Sequence, residues 1–286
     1  MGIKTDIQWA DSTVNPTMGC QGCELWGPGR KTCYAGKSHE RKQGKNLGFA
    51  AKFEQVETRS GRMAKAAAWS ALSGLRRFDK PWLDGRPRMI FVSDMSDALS
   101  KGVTFEYLES EIVAAALCPA GRRHHWLWLT KLSPRMAEFS AWLSRRRVEW
   151  PENIWAGTSI TSQTTATKRI EALLEVGTES TVRFVSVEPQ FDCIDLSPWL
   201  QRLDLVIQGG ESGAKAVAAP FELSWARGMR DACRAAGTAY FLKQLGRQPV
   251  SNGAPLELRD PHGGDWDEWP EDLRVRQLPR GKDERA

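Results

Sequence analysis

Three cysteines near the amino terminus are the residues best suited to bind a metal. Cys20 and Cys23 are separated by two residues, a spacing that lets both sulfurs turn onto one metal centre, and Cys33 follows after a Gly-Pro-Gly turn. Three thiolates without an obvious fourth ligand are the composition of an iron–sulfur cluster with one open iron, at which a substrate or cofactor can bind. The spacing therefore favours an iron–sulfur cluster held by Cys20, Cys23 and Cys33.

Two other kinds of cysteine site stay open. A structural zinc site prefers four ligands, and His39, six residues after Cys33, could supply the fourth. A redox-active pair formed by Cys20 and Cys23 is also possible, but it leaves Cys33 without a role.

The composition excludes several classes of protein. The chain has 286 residues, of which 41% are hydrophobic and 26% are charged, as expected for a folded globular protein. No apolar run approaches the roughly 18 residues that span a bilayer, and the amino terminus lacks the hydrophobic core of a signal peptide. We therefore expect a cytoplasmic protein without a membrane partner. The net charge of +5 permits a phosphate-bearing partner.

From Arg88 onward, short apolar runs alternate with segments of helical periodicity. The runs predict buried strands at Met89–Val92, Trp126–Leu129, Ile154–Ala156, Val182–Val185, Leu205–Ile207 and Tyr240–Leu242. A first strand is predicted near Asp6–Trp9. The alternation predicts an α/β protein with a parallel sheet, a partial TIM-type barrel of about seven strand–helix units, although a doubly wound order stays open. Residues 1–246 form this predicted domain, and residues 247–286 a C-terminal extension that is disordered from Pro279 onward.

Polar residues follow the predicted strands. They are Ser93, Asp94 and Asp97 after the second strand, Lys131 after the third, Ser159 after the fourth, Glu188 after the fifth, Gly209, Gly210 and Glu211 after the sixth, and Lys243 after the seventh. Catalytic residues of parallel barrels lie at the carboxyl ends of the strands, so these residues predict a ligand site, although strand ends are often polar without one. The glycine pair could admit a ligand close to backbone N–H groups, or form only a tight turn.

The sequence resembles the phage-associated three-cysteine family of radical-SAM-like proteins. The matching stretches, in consistent order between Ile7 and about Gly246, are Trp9 to Pro16, Gly19-Cys20, Cys33-Tyr34-Ala35, Phe91 to Asp97, Leu129-Thr-Lys131, Ser186 to Pro189, Gly209 to Gly213 and Phe241 to Gln244. The resemblance implies a radical-SAM-like partial barrel, with a [4Fe-4S] cluster on the first strand–helix loop. It also implies S-adenosylmethionine bound to the unique iron, in a bacterial or phage-infected cell.

Two features depart from the pattern of these families. The two-residue gap lies between the first pair of cysteines, and Arg30 occupies the place of the middle cysteine. The Gly-Gly-Glu that binds the methionine amino group in radical-SAM enzymes follows their second strand, whereas here it follows the sixth. Ser93, Asp94 and Asp97 are therefore the better candidates for that amino group. The full set of predicted cofactor-binding residues is Tyr34, Ser93, Asp94, Asp97, Ser159, Gly209, Gly210 and Glu211.

The function implied by the resemblance is reductive cleavage of S-adenosylmethionine, using one electron from an external donor, to a 5′-deoxyadenosyl radical. Glu188, Lys131 and Lys243 are candidates to hold substrate, with ion pairing to neighbouring carboxylates as the alternative for both lysines. The phage association and the net charge favour a nucleic-acid base or nucleotide as substrate, with basic clusters at Arg122–His125 and Arg145–Arg147 along the phosphates. A non-catalytic, zinc-stabilised nucleic-acid-binding protein is the alternative.

Overall fold

The computed structural model describes residues 2–43, 45 and 48–279. The strands are β1 (Ser12–Val14), β2 (Thr17–Met18), β3 (Trp26–Gly27), β4 (Arg30–Lys31), β5 (Glu57–Thr58), β6 (Arg88–Val92), β7 (His124–Thr130), β8 (Ile154–Ile160), β9 (Arg183–Val187), β10 (Leu205–Gly209), β11 (Phe221–Glu222), β12 (Ala239–Gln244), β13 (Pro249–Ser251) and β14 (Ala254–Pro255). The α-helices are α1 (Tyr34–Lys42), α2 (Arg62–Ala67), α3 (Phe105–Leu108), α4 (Ala114–Leu117), α5 (Ser133–Arg145), α6 (Gln163–Leu174) and α7 (Leu223–Ala236). A π-helical turn at Glu109–Val113 joins α3 to α4. In these residues no helix is long and apolar enough to cross a membrane.

Seven strands form the main sheet, in the order β1-β6-β7-β8-β9-β10-β12. The pairings of β1 with β6, β6 with β7, β9 with β10 and β10 with β12 are all parallel. Helices α5 and α6 directly follow β7 and β8, and α7 precedes β12. This arrangement confirms the α/β class and the seven parallel strands, and it is consistent with the predicted partial barrel.

The first strand does not lie where the sequence predicts it. β1 is Ser12–Val14, whereas the predicted segment Asp6–Trp9 is part of a turn in which the Ala10 N–H donates to the Ile7 carbonyl at 3.2 Å. Trp9 is only 2% exposed, so the apolar residue that suggested a strand is buried in a turn outside the main sheet. The other predicted strands are confirmed at their apolar runs, with bounds that extend by a few residues.

The chain divides into two compact units. Unit 1 comprises Met1–Gly157 and Glu175–Thr181, and unit 2 comprises Thr158–Leu174 and Val182–Ala286. Unit 1 therefore carries the three cysteines and the ends of β6 and β7. Unit 2 carries the ends of β8, β9, β10 and β12.

Aromatic side chains of β7 and α5 form part of the core of unit 1. Trp126 and Trp128 are fully buried on β7, and the Trp128 ring stacks on Trp150 with centroids 5.9 Å apart. Phe139 packs edge-on against Trp128, from the apolar face of α5 that the helical periodicity predicts. Such rings contribute more to packing than their buried area alone. These tryptophans are therefore core residues.

His125, also on β7, gives unit 1 a pH-dependent stability. Burial lowers its pKa to about 4, against about 6.5 in the unfolded chain. As the pH falls below about 6.5 the unfolded chain binds this proton first, so stability is lost down to about pH 4. We expect His125→Phe to remove about 2 kcal/mol of the decrease in unfolding free energy between pH 7 and pH 4.5, measured by urea denaturation. Exposed His262 is the matched control, and an equal effect of His262→Phe would contradict the assignment.

The C-terminal extension is part of unit 2 and is hydrogen-bonded along β12. The Leu242 N–H donates to the Val275 carbonyl and the Gln277 N–H to the Tyr240 carbonyl, each at 2.9 Å. Between them Arg276 is 9% exposed, with its guanidinium over aromatic rings of the extension. An otherwise open strand edge is thereby covered. Residues 280–286, which belong to the predicted disordered end, lie outside the described residues.

Candidate functional site

The segment that carries the cysteines is fastened to the loop after β6. The Thr17 hydroxyl donates to the Ser96 hydroxyl at 2.9 Å, and the Lys101 N–H donates to the Gln21 side chain at 2.6 Å. A backbone bridge pairs Gly19 with Ser96. Gly19 has φ +89°, and a Cβ there would lie 2.1 Å from the Gln55 carbonyl oxygen, so glycine is required.

Two further contacts join the same segment to the ends of β6 and β7. Lys131, just after β7, forms an ion pair with Glu24 at 3.2 Å. The Tyr34 hydroxyl donates to the backbone carbonyl of Asp94, just after β6. Lys131 therefore has a carboxylate partner, and its predicted contact with a substrate stays a prediction. Sequence reasoning missed Glu24, although its position next to Cys23 was a usable signal.

The three thiols lie within electrostatic reach of one another. Burial raises the pKa of Cys20 to about 12, and the Asp97 carboxylate adds to the increase. Burial also raises the pKa of Cys23, against the opposing charge of Lys131. Cys33 contributes to the electrostatic surroundings of both, and all three cysteines are free and partly exposed. The predicted metal ligands are therefore neighbours in unit 1.

An aromatic cluster forms the base under this group. Cys20 and Cys33 pack against a buried core of Trp26, Ala35 and Phe53. The Trp26 indole N–H donates to Glu54 at 2.9 Å, and its ring meets Phe53 edge-on with centroids 5.1 Å apart. Gly36 permits this packing, since a Cβ there would lie 2.4 Å from the Trp26 ring. The base excludes water from one side of the thiols.

The chemistry of these donors fits an iron–sulfur cluster. The Leu25 N–H donates to the Cys23 sulfur at 3.4 Å, and such bonds tune cluster potentials. Within residues 2–43, 45 and 48–279, no group of three or more His, Cys, Asp or Glu side chains is arranged to hold a metal ion. The three thiols are neighbours but are not arranged as a metal site. Binding of a cluster would therefore require deprotonation of the thiols and a closer approach of the sulfurs.

His39 does not join the cysteines as a fourth ligand. It is fully buried, and among the described residues neither ring nitrogen has a hydrogen-bond partner. Its ring packs against Phe49 and Phe53, with centroids 5.4 and 5.5 Å away. In this arrangement His39 belongs to the aromatic layer behind the cysteine segment.

Ser93 ends β6 in a strained conformation. Its φ is +76°, in the left-handed region that serine rarely adopts, and its N–H donates to the Val14 carbonyl of β1 at 2.9 Å. Ser93 is 5% exposed, and in the part of the chain that the structure describes its hydroxyl has no hydrogen-bond partner. Strain and an unsatisfied buried hydroxyl at a strand end are typical of a ligand-binding position.

Asp94 is held by Asn15, a residue that sequence reasoning placed in a matching stretch without giving it a role. The Asn15 amide donates to the Asp94 carboxylate at 2.5 Å, and its oxygen accepts from the Met95 N–H at 2.9 Å. Burial raises the pKa of Asp94. Polar side chains thereby join the ends of β1 and β6. Asp94, the residue after Ser93, also accepts the Tyr34 hydroxyl at its backbone carbonyl.

Asp97 is surrounded by internal donors. Its carboxylate accepts from the Thr130 hydroxyl at 2.8 and 2.9 Å, from the Leu99 N–H at 3.0 Å and from the Lys131 N–H at 3.1 Å. It is 7% exposed, and burial raises its pKa. Through these bonds Asp97 joins the ends of β6 and β7. The contact of Asp97 with a cofactor stays a prediction.

Unit 2 brings a second group of predicted residues together. The Lys243 ammonium donates to the Glu188 carboxylate, with both side chains less than a fifth exposed. The Ser159 hydroxyl donates to the Glu188 carbonyl at 3.2 Å. Gly209 ends β10, which lies between β9 and β12, and a Cβ there would lie 3.6 Å from the Glu188 carboxyl carbon. The ion pair expected for Lys243 is therefore present, and its predicted contact with a substrate stays a prediction.

Gly210 and Glu211 have internal partners. The Gly210 N–H donates to the Gln244 carbonyl at 3.1 Å, and a Cβ on Gly210 would lie 2.4 Å from the Leu245 carbonyl oxygen. The Glu211 carboxylate, 5% exposed, accepts from the Ala219 N–H at 2.9 Å and closes the loop between them. Close packing of backbone against backbone explains this glycine without a ligand.

The basic clusters lie away from the carboxyl ends of the strands in unit 1. Arg122 and Arg123 directly precede β7, and Arg145–Arg147 lie at the C-terminal end of α5, which runs back from the end of β7. Both clusters are therefore at the amino-terminal edge of the sheet, whereas Ser93 and Lys131 follow strands at the carboxyl edge. Phosphates bound at the clusters would not meet the cysteines.

Comparison with known proteins gives one match. The family model described as "Protein of unknown function (DUF5131)" matches residues 4–270. No curated protein and no solved structure matches the chain. Association with phages and a relationship to radical-SAM enzymes stay predictions. Because the matched region covers far more than half of its length, the chain belongs to the DUF5131 family.

Proposed function

We propose that this protein is an iron–sulfur enzyme of the radical-SAM type, with Cys20, Cys23 and Cys33 as the protein ligands of a [4Fe-4S] cluster. The observation that carries the proposal is that three thiols are neighbours beside the ends of β6 and β7, with one N–H group donating to the Cys23 sulfur. When bound, such a cluster supplies the electron that cleaves S-adenosylmethionine to methionine and a 5′-deoxyadenosyl radical, which removes a hydrogen atom from the substrate.

The chain itself would bind, orient and shield the reactants. The unpartnered hydroxyl of Ser93 is available to the amino group of the methionine moiety, and Tyr34 fixes the cysteine segment to the end of β6. The aromatic base of Trp26 and Phe53 keeps water from one side of the thiols. In unit 2, the Glu188–Lys243 pair offers both an acceptor and a donor to a polar substrate group such as a nucleic-acid base.

Metal analysis after oxygen-free purification tests the proposal. We expect a coloured protein with about four iron atoms and four sulfides per chain. With dithionite and S-adenosylmethionine, we expect release of 5′-deoxyadenosine. Stoichiometric zinc without sulfide would overturn the proposal and favour the zinc-stabilised nucleic-acid-binding alternative.

Replacing Ser93 by alanine separates cofactor binding from stability. Removing a buried hydroxyl that has no partner costs the fold nothing, so we expect an unfolding free energy equal to or above that of the wild type. If the hydroxyl binds the cofactor, affinity for S-adenosylmethionine falls about tenfold, measured by anaerobic equilibrium dialysis.

Ser100 provides a matched control for that experiment. It follows the same strand, it is completely buried, and its hydroxyl also lacks a partner. We expect Ser100→Ala to leave the affinity for S-adenosylmethionine unchanged. Equal affinities of the Ser93→Ala variant and the wild type would remove Ser93 from the cofactor site.

A further inference from the structure

One face of α1 carries an exposed aromatic ring in line with two cations. Tyr34, Lys37 and Arg41 recur at spacings of three and four residues, which places them on one side of a helix. Tyr34 is 53% exposed, Arg41 is exposed and Lys37 is partly exposed. We call these three residues the α1 stripe. It begins at the residue after Cys33, so it leads directly away from the proposed cluster ligands.

Positive charge is concentrated in the segment that contains the α1 stripe. Residues 30–42 contain five basic residues and one acidic residue, a net charge of +4 against +5 for the whole chain. The acidic residue, Glu40, pairs with Lys31 at 3.7 Å. Within the described residues, neither Lys37 nor Arg41 has a carboxylate partner, and the Arg41 guanidinium donates to the Lys37 carbonyl at 3.3 Å. The stripe is therefore suited to an anionic partner.

The exposed ring decides which anionic partner fits best. Proteins that bind single strands combine a line of cations along the phosphates with aromatic rings on which bases stack. The hydrogen bond from the Tyr34 hydroxyl to the Asp94 carbonyl holds this ring beside Cys33. An acidic electron-transfer protein would match the charge but would not require an exposed ring at the end of the stripe.

We propose that the α1 stripe binds single-stranded nucleic acid, with phosphates on Lys37 and Arg41 and a base stacked on Tyr34. The inference deepens the proposed function by naming single-stranded nucleic acid as the substrate class and α1 as the path of this nucleic acid to the cysteine site. The role of the nucleic acid as substrate rests on the proposed function. It also replaces the basic clusters predicted from the sequence, which lie at the opposite edge of the sheet in unit 1.

Fluorescence anisotropy with the anaerobically purified full-length protein tests the surface. The probes are fluorescein-labelled DNA and RNA single strands of about 20 nucleotides, and the same DNA as a duplex. For Lys37→Ala/Arg41→Ala we expect about tenfold weaker binding of the single strands. The slope of log affinity against log salt, measured from about 50 to about 200 mM NaCl, should fall by about 1.4 because two phosphate contacts are lost.

Variants of Tyr34 and a control pair, Arg122 and Arg123, complete the design. We expect Tyr34→Leu to weaken binding about tenfold without changing the salt slope, and Tyr34→Phe, which keeps the stacking ring but not its hydroxyl bond, to bind more tightly than Tyr34→Leu. Arg122→Ala/Arg123→Ala removes the same charge from the amino-terminal edge and should bind like the wild type. Circular dichroism checks folding, and Lys37→Gln/Arg41→Gln replaces the first variant if it unfolds.

Three results would overturn the inference. They are equal losses in the two double variants, tighter binding of the duplex than of the single strands, and unchanged oligonucleotide binding when Lys37 and Arg41 are replaced. Metal content reports separately on the proposed function. Binding of the single strands by a protein without iron supports the surface and rejects the enzyme, whereas iron without binding rejects the surface alone.

Discussion

Replacing Cys33 by alanine is expected to lower the bound iron from about four atoms per chain to less than one and to abolish release of 5′-deoxyadenosine. Cys33 is the N-cap residue of α1, and it packs on the aromatic base shared with Cys20. A cluster that already has one open iron has no spare protein ligand. Loss of one thiolate therefore leaves two iron atoms without a protein ligand. Iron and sulfide analysis, together with chromatographic detection of 5′-deoxyadenosine, measures the effect.

Two other cysteines serve as controls because they differ from Cys33 only in their surroundings. Cys193 is exposed, and Cys118 is partly buried at the end of α4. Alanine at either position should leave iron content and turnover as in the wild type. Full iron content in the Cys33→Ala variant would remove Cys33 from the ligand set. Loss of iron from the Cys193→Ala variant would show that the ligands were assigned wrongly.

The main sheet was predictable wherever its strands are apolar and covered on both faces. Runs such as Leu205–Ile207 are completely buried, and their length and flanking turns identify strands without further information. β1 escaped because it is short and polar. Ser12 is buried through hydrogen bonds, donating to the Ile3 carbonyl at 2.8 Å and accepting from Arg88 at 2.9 Å. A hydropathy pattern cannot detect a strand whose polar groups are satisfied by distant partners.

The candidate site was predictable where spacing alone constrains geometry. The short spacings among the cysteines keep Cys20, Cys23 and Cys33 close in the fold. The roles of Gly210 and Asp97 were not predictable, because each depends on atoms far along the chain. The carbonyl of Leu245 requires a glycine at position 210, and donors more than thirty residues away hold Asp97. A polar residue at a strand end therefore marks an important position without showing whether it faces a ligand or the protein.

At Asp97, a role in binding a ligand and a role in holding the protein together predict very different effects of substitution. Alanine there would leave the Thr130 hydroxyl and the N–H groups of Leu99 and Lys131 without their acceptor in a buried region. Each buried donor without a partner costs about 1 to 3 kcal/mol. We expect Asp97→Ala to lower the free energy of unfolding by about 4 kcal/mol, measured by urea denaturation at pH 7 in the absence of cofactor.

Comparison with Thr130→Val distinguishes a joining role from a ligand role. Valine removes one donor to Asp97 and the acceptor of the Leu132 N–H, but it leaves the two N–H bonds to Asp97, so a loss of about 2 kcal/mol is expected, roughly half that of Asp97→Ala. If the Asp97 carboxylate instead binds the methionine amino group, Asp97→Ala lowers affinity for S-adenosylmethionine with little change in stability. A decrease in stability within about 1 kcal/mol would contradict the joining role, because three buried donors cannot lose their acceptor at so small a cost.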